Sequence, residues 1–161
     1  MGREIIRRLA KKLDKVERAV GAPQSRQYSS LLLPWRLPCC KSFQLHHFSD
    51  ASEFGYGTVS YLRRETWDGM VNCSFIMAKS RTAPLPYVSI PRLELQAATI
   101  AARVQSMIVR EIDLNISSTF FWTDSQLTLQ YIRNESCRFK TYVANRVCEI
   151  RQVSEPSQWR H

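Results

Sequence analysis

Residues 43–79 read FQLHHFSDASEFGYGTVSYLRRETWDGMVNCSFIMAK, and this stretch decides the fold. Phe43–Ser49 has the texture of a strand ending in Asp50, and Ala51–Gly57 holds two glycines and predicts a turn. Tyr56–Arg64 alternates as a second strand, Glu65–Met70 carries the turn-forming pair Asp68-Gly69, and Val71–Lys79 makes a third strand. Strands this short, separated by Gly- and Asp-containing turns, pair as an antiparallel meander because so tight a connection can only reverse the chain.

Downstream the period changes. Ser80–Ile90 contains two prolines and reads as a loop; Pro91 suits a first helical position, where its missing N–H costs nothing. Arg92–Glu111 is alanine-rich, with Leu93, Ala97, Ile100, Val104 and Ile108 on one side of a helix. Ser118–Thr123 (STFFWT) is an almost wholly apolar strand, the pattern expected of burial on both faces. Asp124-Ser125 can end that strand and open a helix over Gln126–Arg133. A last helix is expected over Phe139–Gln152, and Ser157–His161 resembles the opening of a further strand. The order β-β-β-α-β-α-α-(β) predicts an α/β fold: a mixed sheet with helices packed on it.

Upstream, residues 3–20 (REIIRRLAKKLDKVERAV) place Ile5, Ile6, Leu9, Leu13, Val16 and Val20 at helical spacing among basic residues. This is an amphipathic basic helix, able either to pack one side on a protein or to touch nucleic acid or an anionic membrane. Gly21, Pro23 and a polar stretch end it, and residues 31–41 (LLLPWRLPCCK) read as an irregular connection. The expected division is therefore 1–41, a basic helix and connection, and 42–161, the folded domain. Of the net charge of +9, +7 lies in residues 1–41, so the basicity says little about the rest.

The 161 residues suffice for one domain with a sizeable core. No apolar run is long enough to span a bilayer, and the charged N-terminus does not read as a secretory signal. Ile6 stands where a myristoylation signal needs Ser or Thr. Five cysteines without a C-x-x-C pair make neither a zinc framework nor a disulfide scaffold, and are expected as reduced thiols of an intracellular protein. His46, His47 and His161 lack metal-ligand partners at useful spacing and read as ordinary core or surface histidines.

Acids are sparse after residue 42, so those at element ends stand out. Asp50 closes the first strand, Asp124 the apolar strand, and Glu94 lies in the first turn of the long helix. If the first and fourth strands are neighbours, Asp50 and Asp124 emerge at one edge, and the helix start can bring Glu94 beside them. Carboxylates so placed repel unless a cation lies between them. Hard oxygen donors suit Mg²⁺ or Mn²⁺, and a pair of such ions can activate water for phosphodiester hydrolysis. The structural alternatives are an N-cap role for Asp124 and a helix-dipole role for Glu94.

The segments LHHFSDASEFGYGTVSYLR, AKSRTAPL, IPRLELQAATIAARV, FFWTDSQLTLQYIRNE, RFKTYVANRVCEI and SQWRH closely resemble, in order, the ribonuclease H region of BEL/Pao-type LTR retrotransposon polyproteins, also catalogued as the Pao retrotransposon peptidase family. The resemblance covers residues 43–161, and residues 1–40 fall outside it. It implies a ribonuclease H-like fold, Mg²⁺-dependent cleavage of RNA in RNA–DNA hybrids, and association with the reverse transcriptase part of a parent polyprotein. It carries three metal-binding carboxylates onto Asp50, Glu94 and Asp124. Family members continue past the WRH segment into an Asn-Pro-Ala-Asp stretch whose Asp completes the metal site. The expectation is thus a C-terminally incomplete domain with weak or absent hydrolysis, for which neither Glu135, Glu149 nor Glu155 is spaced to substitute. The alternative is a catalytically dead remnant or interaction module that keeps only the fold.

Peptidase chemistry is not supported, because an aspartic protease needs Asp-Thr-Gly or Asp-Ser-Gly and neither triplet occurs. Substrate handling would use cations and rings near the acids: Lys79 and Arg81 before the long helix, and Arg138, Lys140 and Arg146 with Phe139 and Tyr142. Phosphate contacts supply affinity and 2′-hydroxyl contacts distinguish RNA. Trp122, Trp159 and Phe120 are expected in the core.

Overall fold

The computed structural model describes residues 40–85, 87–135 and 138–161. The helix expected over 3–20 and most of the 31–41 connection lie outside the described residues. The elements are β1 (Cys40–Ser52), β2 (Gly55–Thr66), β3 (Val71–Thr82), α1 (Ile90–Glu111), β4 (Ser118–Thr123), α2 (Gln126–Arg133), α3 (Thr141–Val153), a 3-10 turn (Pro156–Gln158) and β5 (Trp159–Arg160). They follow the predicted order. The five strands form one mixed sheet in the order β3-β2-β1-β4-β5. β1, β2 and β3 are antiparallel neighbours, while β4 is parallel to β1 and β5 parallel to β4. Parallel neighbours need a crossover, and α1 supplies it between β3 and β4, as α2 and α3 do between β4 and β5.

The hairpins are longer and tighter than the sequence pattern suggests. β1 runs two residues past Asp50, so Asp50 lies inside the strand opposite Gly57, and only Glu53 and Phe54 separate β1 from β2. Backbone pairing extends a strand through polar and glycine positions that a hydrophobic pattern reads as a turn. The β2–β3 connection is centred on Asp68-Gly69, as expected; Gly69 takes φ +83°, a conformation most side chains resist, and donates to Thr66 O at 3.0 Å.

α1 begins at Ile90, with Ser89 as N-cap and Pro91 at its second position. Glu94 is therefore the fifth helical residue, beyond the first turn. α2 is capped by Ser125, whose Oγ accepts from Thr128 N at 3.2 Å, so Asp124 is not the cap. α3 starts at Thr141, two residues later than the pattern indicates.

Two apolar clusters join the sheet to its helices. Leu45, Ala51, Tyr56 and Leu62 pack with Leu93, Ala97, Ile100, Val104 and Ile108 of α1. Phe121 and Trp159 pack with Leu95, Ala98, Ala101 and Ala102 of α1, with Leu129 and Ile132 of α2, and with Val147 and Ile150 of α3. The alanines let α1 lie close to both sheet and helices. A third cluster, Phe48, Val59 and Tyr61 with Ala78 and Trp122, is drawn wholly from strands and occupies the other face of the sheet. β4 is correspondingly not buried on both sides. Thr119, Phe121 and Thr123 are buried, while Ser118, Phe120 and Trp122 are half-buried. Trp159 is in the core as expected; Phe120 and Trp122 are only partly so.

The buried histidines are structural. His47 Nδ1 is hydrogen-bonded to Ser60 Oγ at 2.7 Å and its ring stacks on Phe121. His46 stacks on Phe120 and Trp122, and accepts from Trp122 Nε1 at 3.2 Å. Burial, with Arg63 nearby, lowers the His46 pKa to about 4; burial, with His46 nearby, lowers that of His47 to about 3. Both rings are neutral at pH 7.

Candidate active site

In an open sheet with parallel strands, the crevice at their carboxyl ends is where side chains from separate strands meet. Here that edge carries Asp50, Asp124 and His161. The β1–β4 register pairs Ser49 with Thr123, so Asp50 and Asp124 each follow the last paired position of neighbouring strands. Such strands lie about 4.8 Å apart. Side-chain alternation puts Asp50 on the same face as Phe48, and Asp124 follows Trp122 on that face. Ser49 Oγ donates to Trp122 O at 3.2 Å and ties the two strands just before the acids. Ser125 N donates to Thr123 Oγ1 at 3.2 Å, which turns the chain out of β4 directly after Asp124.

The three acids have different environments. Asp50 is 2% exposed, and Ala51 N donates to its Oδ1 at 3.0 Å. Asp124 is exposed, and its backbone carbonyl lies 3.2 Å from His161 Nε2. Glu94 is half-buried on α1, whose packing against Leu45, Ala51 and Leu62 lies on the sheet face opposite Phe48. Gly57, opposite Asp50, has no room for a side chain: an added Cβ would lie 2.7 Å from Lys79 O and 3.1 Å from Ser80 Cα. The backbone thus brings Asp50 and Asp124 to neighbouring positions. Among the described residues, no three His, Cys, Asp or Glu side chains converge into a group able to hold a metal ion. The donor chemistry fits a hard divalent cation, but this placement of the side chains does not form its cage.

Of the basic residues, Lys79 and Arg81 are exposed on β3 and flank Ser80, which lies two strands across from Asp50 through Gly57. Arg138 and Lys140 are exposed before α3. Arg146 folds back over Tyr142, its guanidinium carbon 3.7 Å from the ring centroid. Phe139 packs edge-on against Tyr131. Sequence reasoning passed over Arg92, which lies 5.0 Å from the same Tyr142 ring, and Gln96, whose Nε2 donates to Tyr142 Oη at 2.5 Å. This cluster joins the start of α1, two residues from Glu94, to the start of α3. No local pattern signals it, because its members lie about fifty positions apart and only the packing of the two helices unites them.

A mixed sheet of order 3-2-1-4-5 with α1 crossing from the meander to β4, and acids at the carboxyl ends of β1 and β4, defines a ribonuclease H-like α/β domain. The family comparison agrees: the description "Pao retrotransposon-like RNaseH-like domain" matches residues 4–125. The chain belongs to that family. The match begins at residue 4, upstream of the segments from residue 43 onward that carry the resemblance. No curated protein matches the chain. Among solved structures, ribonuclease H1 of the archaeon Halobacterium salinarum shares 11% identity over 70% of this chain and 76% of that one, with TM-score 0.41. LC11-RNase H1 in complex with an RNA/DNA hybrid shares 8% over 73% and 81%, with TM-score 0.43. An N-terminal RNase H domain from Mycobacterium tuberculosis shares 9% over 74% and 81%, with TM-score 0.42. No described helix is long and apolar enough to cross a membrane.

Proposed function

We propose that this chain is the ribonuclease H-like part of a retrotransposon polyprotein, that its ligand is an RNA–DNA hybrid, and that Asp50, Asp124 and Glu94 are its candidate Mg²⁺ or Mn²⁺ ligands. The observation that carries the reading is the β1–β4 register, which sets Asp50 and Asp124 side by side at the sheet edge. Membership of the family supports the substrate class. Lys79, Arg81, Arg138, Lys140 and Arg146 are the candidate phosphate contacts, and the reverse transcriptase part of the parent polyprotein is the candidate intracellular partner. A bound divalent ion would lower the pKa of an attacking water and neutralise charge on the phosphate.

The isolated chain is proposed to hydrolyse hybrids weakly or not at all. The second reading, a fold kept without its chemistry, is favoured by a different observation: among the described residues no three His, Cys, Asp or Glu side chains form a group able to hold a metal ion.

The test is cleavage of an end-labelled RNA–DNA hybrid by the full chain in millimolar Mg²⁺, alongside hybrid affinity measured against salt. Binding that weakens steeply with salt, with little cleavage, is expected, because each phosphate contact releases a counterion. Robust cleavage abolished by Asp50→Asn would overturn the low-activity part. Absence of any hybrid binding would overturn the substrate assignment. If Mg²⁺ raises the unfolding midpoint of the native chain and not of Asp50→Asn, the metal assignment stands whatever the activity; equal response sinks it.

A further inference from the structure

The cluster that joins the start of α1 to the start of α3 gathers two like charges on one ring. The guanidinium carbons of Arg92 and Arg146 lie 5.0 and 3.7 Å from the centroid of the Tyr142 ring. An aromatic face attracts each cation, but two guanidiniums drawn to the same ring repel one another. A carboxylate ordinarily relieves such repulsion. Among the described residues the ion pairs are Lys41–Glu65, Arg63–Glu65, Arg103–Glu149 and Arg110–Glu111, and neither cluster arginine belongs to one. Glu149, on the same helix as Arg146, is held by Arg103, whose Nη2 donates to its Oε2 at 2.9 Å; Arg146 acts on it only through space. Arg138 and Lys140, exposed before α3, add further positive charge.

The ring itself is fixed. Gln96 Nε2 donates to Tyr142 Oη at 2.5 Å, and Arg146 Nη1 donates to the Tyr142 carbonyl at 3.2 Å. Tyr142 is half-buried between the two helices, whereas Arg92 is exposed, so a held ring carries a cation that faces solvent. The place is close to the acids along the chain and in the fold. β3 runs in the direction of β1, so it ends at the sheet edge that carries Asp50, and α1 opens from the loop that follows. Arg92 precedes Glu94 by two residues.

We propose that Tyr142 is a positioning residue that presents Arg92 and Arg146 as a guanidinium clamp for a phosphate of the nucleic-acid backbone. Planar guanidinium forks match a phosphodiester with paired donors, and the bound anion relieves the repulsion between them. The inference rests on the hybrid assignment made above and adds to it the residue that holds the cations in place.

The test is the affinity of the full chain for a fluorescently labelled RNA–DNA hybrid, measured by anisotropy across a salt series. Arg92→Gln and Arg146→Gln should each weaken binding about tenfold and each lower the slope of log affinity against log salt by about one. Tyr142→Leu keeps both cations but removes their ring; it should weaken binding about as much, and Arg92→Gln added to it should cost less than about twofold more. Tyr142→Phe keeps the ring and should bind within about threefold of the native chain. Arg110→Gln, in the last turn of α1, should leave affinity and slope unchanged. Neither Arg92 nor Arg146 belongs to a buried apolar cluster, so their slopes read the clamp even where Tyr142→Leu fails to fold. A native chain that binds no hybrid would overturn the substrate assignment and the clamp with it. Native binding with unchanged slopes in both arginine variants, a fully additive loss in the Tyr142→Leu background, or equal losses in Tyr142→Phe and Tyr142→Leu would overturn the clamp alone.

Discussion

Trp159 is the test of whether the last two-residue strand is part of the folding core. Its indole is 0% exposed, stacks on Phe121 with centroids 4.6 Å apart, and donates from Nε1 to Ser154 Oγ at 3.0 Å. It belongs to the cluster that joins β4 to buried residues of α1, α2 and α3. Trp159→Ala removes the whole ring and leaves a cavity, a change worth about 3–5 kcal/mol, of which stacking supplies about 0.5–1.5. That is a large share of a stability of about 5–15 kcal/mol. Trp159→Phe keeps the ring stack, loses some volume and the N–H···O bond, and leaves Ser154 Oγ still donating to Ile150 O at 2.7 Å; about 1–2 kcal/mol is expected. Urea unfolding followed by far-UV circular dichroism reads both, independently of tryptophan fluorescence. With a slope of about 2 kcal/mol per molar, the midpoint falls by about 2 M for the alanine and under 1 M for the phenylalanine variant. An alanine loss below about 1 kcal/mol would refute the packing argument.

Other perturbations read other parts of the fold. Gly57→Ala pushes a methyl group into the β3 backbone, which cannot step aside, and should cost about 1–3 kcal/mol in urea unfolding; a neutral result would contradict the hairpin register. Arg151 donates through Nε and Nη2 to Ile132 O, at 2.9 and 2.7 Å, and through Nη2 to Asn134 O at 2.9 Å, which closes the end of α2. Arg151→Ala should cost about 1.5–3 kcal/mol, and Arg151→Lys should recover less than half, because an ammonium lacks the fork. His46 and His47 have folded pKa values below that of an unfolded histidine, so the unfolded state binds more protons as pH falls. Stability is complete above about pH 6.5 and declines from there toward pH 4 and below, by about 2 kcal/mol per histidine at pH 5. A midpoint unchanged between pH 7 and pH 5 would show that the rings are not held neutral.

The pattern of residues 43–135 was enough to name the three hairpin-linked strands, the long helix, the apolar strand and the helix after it, because alternation, an alanine-rich apolar stripe and turn residues are local properties. Boundaries were less legible. The pattern stops β1 at Asp50, whereas pairing with Gly55–Gly57 carries the strand on, since hydrogen bonding to a neighbour does not depend on side-chain polarity. STFFWT reads as buried on both sides, whereas one face of β4 is left half-buried; composition cannot report how much covers each face.

The chain's own order of residues determined the element sequence, the mixed α/β architecture and the choice of Asp50, Glu94 and Asp124 as acids worth following. Only the tertiary structure decided that β1 and β4 are parallel neighbours in a register that brings Asp50 and Asp124 to neighbouring strand ends, and that Arg92, Gln96, Tyr142 and Arg146 form one cluster. The reason is range. Periodicity and turn chemistry act over a few residues, whereas register and helix packing are set by contacts between segments tens of residues apart, whose geometry no local pattern encodes.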